Sequence, residues 1–125
     1  MALQQGKACL SLPASGDLSA SQFCFVTVDS SGEIALPAAG ADAVGVLQDK
    51  PDAQGKVGEV AMLNASLRVK VIAGASLTAG NVVQADASGH AIVAASGDRE
   101  LGVVLTGGAS GELVEILPGS RMLLP

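Results

Sequence analysis

Short apolar runs, broken by glycine, proline and acidic turn residues, make up almost the whole chain. Leu67-Arg68-Val69-Lys70-Val71 alternates strictly, with Leu67, Val69 and Val71 on one face and both cations on the other, the pattern of a half-buried strand. Gly or Pro recurs roughly every 8 to 12 residues, from Pro13 and Gly16 through Gly32, Pro37, Pro51, Gly58, Gly74, Gly80 and Gly89 to Gly97. The stretches between them carry no helical periodicity. The pattern predicts ten short strands, near residues 8–12, 23–28, 33–36, 43–47, 58–63, 67–72, 82–86, 90–94, 101–105 and 112–117. That is an all-β fold, a small sandwich or barrel.

The runs also repeat. Phe25-Val26-Thr27-Val28-Asp29-Ser30-Ser31-Gly32 resembles Val82-Val83-Gln84-Ala85-Asp86-Ala87-Ser88-Gly89, and Val44-Gly45-Val46-Leu47 resembles Leu101-Gly102-Val103-Val104. Asp29 to Asp86, Gly32 to Gly89 and Gly45 to Gly102 are each 57 positions apart. Gly58-Glu59-Val60 matches Gly111-Glu112-Leu113 at 53, which predicts that the second copy has lost four residues from a loop. Leu18-Ser19-Ala20 and Leu77-Thr78-Ala79 lead into the two copies. Self-similarity at a fixed offset marks a tandem duplication. The Asp-x-Ser-Gly element is a turn, with Asp accepting from nearby amides and Gly supplying a positive φ. Gly45 and Gly102, inside apolar strands of both copies, mark either a bulge or a close approach by another backbone and read as a packing requirement of the unit. The expected organisation is an arm over residues 1–7, a single β domain over 8–117 (repeat one 8–64, repeat two 65–117), and an apolar tail over 118–125.

Composition narrows the function. Apolar residues make up 49% of the 125, yet there is no Trp or Tyr, and Phe23 and Phe25 are the only aromatics. A chain this long buries roughly two-thirds of its unfolded surface, so a core of small side chains is expected. Aromatic poverty disfavours base stacking. The net charge of −5, from 12 acidic and 7 basic residues, leaves no basic stripe to neutralise phosphates. No nucleic-acid partner is expected. Nor is a membrane partner, because no apolar run nears the about 18 residues needed to cross a bilayer. No signal peptide is evident around Lys7 and Ala8–Leu12, so the chain is expected to stay in, or be assembled in, a cytoplasm. On that reading Asn64-Ala65-Ser66 is a chance glycosylation match. Cys9 and Cys24 read as buried thiols acting as small hydrophobes, with a disulfide between neighbouring strands as the sharper alternative.

Chemistry-bearing constellations are thin. His90 is the only histidine and falls where the first copy has Glu33, as a solvated polar position would; no nucleophile elbow accompanies it. Gly107-Gly108-Ala109-Ser110-Gly111 lacks the Lys-Ser/Thr ending of a phosphate loop and reads as a hairpin. Asp42, Asp49 and Asp52 lack the spacing of a calcium loop, and Cys9, Cys24 and His90 are too few for zinc. Glu59 and Glu112 read as solvated equivalents. No catalytic residue, cofactor, metal or small-molecule substrate is therefore expected. One sharper alternative is Lys50, in Gln48-Asp49-Lys50-Pro51, as the modified lysine of a lipoyl- or biotinyl-like carrier domain. Against it, Pro51 follows the lysine where carriers have Ala or Met. At the C-terminus, Arg121-Met122-Leu123-Leu124-Pro125 is apolar, and burying Met122, Leu123 and Leu124 would be worth roughly 1.5–3 kcal/mol each. Either the tail folds onto its own core or it covers a neighbouring subunit.

The order of motifs resembles that of tailed-bacteriophage capsid decoration, or cement, proteins. Leu77, Gly80 and Val83 fit the opening of the family's pattern, Asp86 and Gly89 its turn, and Leu101-Gly102-Val103-Val104 its close. The first copy has Ala43-Val44-Gly45-Val46-Leu47 at the close but Ser21 where the second has Gly80. The resemblance covers about residues 10–117. It implies a homotrimer, made in the host cytoplasm, that sits on the outer capsid surface of the virion and clamps adjacent major capsid protein subunits. On that basis the arm, Ala2, Leu3, Gln4, Gln5, Gly6 and Lys7, is expected to bind the capsid by strand addition. Met122, Leu123 and Leu124 are expected at the subunit interface. A different virion component, a head fibre or tail protein, is the competing class.

Overall fold

The computed structural model describes residues 8–66 and 68–118. These form ten strands: β1 (Cys9–Pro13), β2 (Phe25–Val28), β3 (Ile34–Ala35), β4 (Gly45–Leu47), β5 (Val57–Met62), β6 (Val69–Ile72), β7 (Val82–Ala85), β8 (Ala91–Val93), β9 (Gly102–Thr106) and β10 (Leu113–Pro118). There is no helix among the described residues. Each strand falls on one of the expected runs. β3 is the shortest, because Pro37 has no N–H to extend its ladder; its counterpart in repeat two, Ala94, donates to Val82 O at 2.8 Å and prolongs the pairing of β8.

The strands make two five-stranded antiparallel sheets, ordered β1-β5-β4-β2-β3 and β6-β10-β9-β7-β8. Adding five to each strand number turns the first order into the second, so the duplication is written in the topology. Each sheet curls until its ends meet, through parallel bridges Ala14–Ile34 and Ala73–Ala91. The turns repeat in detail. Asp29 Oδ1 accepts from Ser31 N and Glu33 N, and Asp86 Oδ1 from Ser88 N and His90 N. The positive-φ residues fall into four pairs: Phe23/Gly80, Gly32/Gly89, Gly40/Gly97 and Gly55/Gly111.

These pairs correct the sequence alignment of the copies in two places. Gly55 N donates to Ala14 O and Gly111 N to Ala73 O, both at 2.8 Å, so Gly111 corresponds to Gly55 and not to Gly58. Glu59 then corresponds to Glu115, each facing the neighbouring strand in register, at Ser11 and Lys70. The offset drops from 57 to 56, so one residue is missing from the second copy rather than four. The shared Gly-Glu dipeptide had suggested otherwise; the turn geometry decides. Likewise Phe23 N donates to Leu47 O as Gly80 N does to Val104 O, so Gly80 corresponds to Phe23 rather than Ser21. Phe23 therefore occupies, at φ 64°, a left-handed conformation that glycine fills in the other copy.

Gly45 and Gly102 are explained by close backbone approach. A Cβ on Gly45 would collide with Ala61 O, and one on Gly102 would lie 2.7 Å from Leu117 O. The core has two parts. Ala14, Leu18, Val26, Ile34, Leu47 and Val60 fill the first curled sheet. The larger cluster contains the interior of the second sheet, including Val71, Val83, Val104, Val114 and Ile116. It also takes in Phe25, Val46, Ala61 and Leu63 from the opposite face of the first sheet. The larger cluster thus spans both repeats, while the smaller lies within the first.

Candidate functional site

The expected site residues at the ends, Ala2–Lys7 and Met122–Leu124, lie outside the described residues, as does Leu67. The internal candidates are dispersed. Lys50 is exposed in the loop between β4 and β5, beside an open depression lined by Asp49, Pro51, Asp52, Lys56 and Val57. Lys56 pairs there with Asp52 at 3.0 Å. Asp49, also exposed, accepts from Glu59 N through its Oδ1, and Asp42 Oδ1 accepts from Ala43 N. Each acidic side chain thus serves its own loop, and among the described residues no three His, Cys, Asp or Glu gather around a point. His90 Nδ1 stands 4.0 Å from Asp86 Oδ2. Its backbone amide donates to Asp86 Oδ1 as that of Glu33 donates to Asp29 Oδ1, so the two are equivalent turn-exit positions. Glu112 Oε1 accepts from Ala109 N at 2.7 Å and ties down the Gly107–Gly111 hairpin.

Cys24 is buried, as the sequence suggested, but Cys9 is exposed on the edge strand β1, and both are thiols. Burial pushes the Cys24 thiol up to about 11, with the nearby Asp86 charge adding to the shift. No described helix is long and apolar enough to cross a membrane.

What the structure does assemble is apolar surface. In repeat one, Phe25, Val46 and Ala61 stand side by side across β2, β4 and β5, and all three are fully buried. They lie under repeat two. Phe25 N donates to Gly89 O at 2.7 Å and Ile72 N donates to Phe23 O at 2.9 Å across this junction. The equivalent row in repeat two is Val82, Val103 and Leu117, paired across β7, β9 and β10. Here Val82 and Val103 are only half-buried and Leu117 is exposed. Sequence reasoning missed this row, because its apolar residues read as ordinary strand positions. The signal that would have found it is the exchange of Ala61 for Leu117 at equivalent positions, which the misplaced alignment hid.

No protein-family model matches the chain, and no curated protein matches it by sequence. A solved structure does match. The chain is similar in fold to the N base of the head fibre protein gp8.5 of bacteriophage phi29. The TM-score is 0.76 at 18% sequence identity, covering 92% of this chain and 97% of that one. At that identity the likeness establishes a shared fold, across both repeats of the chain and nearly the whole of its neighbour.

Proposed function

We propose that this protein is a structural component of a tailed-bacteriophage virion that binds the outer surface of the head. On this reading it works as a homotrimer, contacts the major capsid protein and clamps adjacent capsid subunits, with no catalytic step, cofactor or nucleic-acid contact. The observation that carries the reading is the fold it shares, over nearly its full described length, with the base of a phage head fibre. The order of motifs that resembles cement proteins points the same way, as do dispersed polar side chains occupied by their own turns. A protein of this kind works by surface complementarity, and the exposed apolar positions of the two modules supply such surface.

The same match supports a second reading, in which the two modules are the base of a head fibre. Both place the chain on the head; they differ in whether it reinforces the shell or carries a projection. The carrier-domain alternative at Lys50 has no such support, and intact mass after expression beside a lipoyl ligase tests it directly, since only a carrier gains mass.

The test of the main reading is co-sedimentation of the purified protein with empty expanded heads of the phage that encodes it. Saturable, stoichiometric binding is expected, and it should be lost on deleting residues 2–7 while the free oligomer persists. Absence of binding would overturn the reading, and unchanged binding by the deletion variant would remove the arm's role. Heads challenged with chelator or heat should survive longer when decorated; binding without added survival would favour the fibre-base reading.

A further inference from the structure

Duplication makes the junction between the two modules a template for a junction between chains. Within the chain, the outer face of module one meets the open end of module two's curled sheet. The face is the Phe25–Val46–Ala61 row. The end is marked by Val69, Ala85 and Gly89, and Ala85 O and Gly89 O accept from Gly40 N and Phe25 N of module one. Val69 and Ala85 are 3% and 0% exposed. Each half of this junction has a second copy elsewhere in the chain, and both second copies are more exposed than their counterparts at the junction. The equivalent face on module two is Val82, Val103 and Leu117, with Leu117 49% exposed. The equivalent end on module one carries Leu10 in place of Val69 and Val28 in place of Ala85, and these are 48% and 37% exposed. At three of these positions the uncovered copy carries the larger apolar side chain: Leu117 against Ala61, Leu10 against Val69 and Val28 against Ala85.

We infer that chains join head to tail, the Val82–Val103–Leu117 face of one chain seating on the Leu10–Val28 end of the next. The occupant of each surface is thus a second copy of this chain, chosen because the chain already contains the matching half. Not every contact can be copied: Pro13 stands where Ile72 donates its amide, so that backbone bond has no equivalent between chains. The intermolecular junction therefore relies on the larger side chains. A contact between two different surfaces is heterologous, and it closes into a ring when the rotation allows. This assigns an interface to the oligomer proposed above and does not depend on the capsid reading.

The test uses two single variants of the full chain, each closing one surface: Leu117→Glu on the face and Val28→Glu on the end. Both side chains are exposed, so circular dichroism and thermal melting should match wild type; Val103→Glu and Leu10→Glu serve as second variants if either fails to fold. By sedimentation velocity, wild type should be a closed oligomer and each variant alone a monomer. Mixed one to one, the two variants should form a dimer and nothing larger, because one intact face and one intact end remain. Variants that keep the wild-type size, or a mixture that stays monomeric, would overturn the interface while leaving the oligomer standing. A monomeric wild type would overturn both, and if it then associates only after residues 119–125 are removed, the chain's own tail is the occupant.

Discussion

Asp29 and Asp86 each hold a whole turn with one carboxylate oxygen, accepting two backbone amides at 2.9–3.0 Å. Removing either should leave both amides to water and cost about 1–2 kcal/mol in urea unfolding, with similar values at the two sites. At Gly102 the limit is steric. Gly102→Ala pushes a methyl against Leu117 O, and about 1–3 kcal/mol of destabilisation is expected. Cys24 gives a pH signature. Burial pushes its folded-state thiol up to about 11, above the ordinary thiol value of 9.0, so the folded chain holds the proton more tightly than the unfolded one. Stability should be insensitive to this group below about pH 9 and should fall as pH rises from there toward 11. Cys24→Ala should remove that slope, and Cys9, being exposed, should alkylate well before Cys24 in the native protein.

At the scale of strands, the alternation of apolar and polar residues together with Gly and Pro punctuation was enough to place all ten elements. The Asp-x-Ser-Gly turns fixed the spacing of the two copies. Four things were not legible. The last offset was misread because a shared Gly-Glu dipeptide outweighed the less conspicuous equivalence of Gly55 and Gly111, which φ angles near +90° reveal. Phe23 was hidden because a left-handed conformation is the one a reader assigns to glycine. The face formed by Val82, Val103 and Leu117 depends on which strands lie side by side, which a single sequence does not state. The bulge at Leu105, where β9 slips one residue against β10 between Glu115 and Ile116, was invisible for the same reason. Sheet one should be sensitive from its inside. Leu47 is fully buried in the small cluster with Val26, Ile34 and Val60, and Leu47→Ala should cost about 2–5 kcal/mol by denaturant titration.

For the molecule as a whole, two curled sheets share one apolar cluster, so the halves are expected to unfold together. Calorimetry on a dissociated form such as Leu117→Glu should give a single transition with matching calorimetric and van't Hoff enthalpies; two separate transitions would contradict a shared core. What the fold presents outward includes apolar positions on both modules, Leu10, Val28 and Leu117 among them, which on the proposed reading meet other surfaces. Electron cryomicroscopy of expanded heads with and without the protein bears most directly on this. The proposed binding to the head predicts added density on the outer shell, at repeated lattice positions, into which the two-module chain fits. Heads that look the same in both maps, or density confined to the interior or the tail, would contradict it.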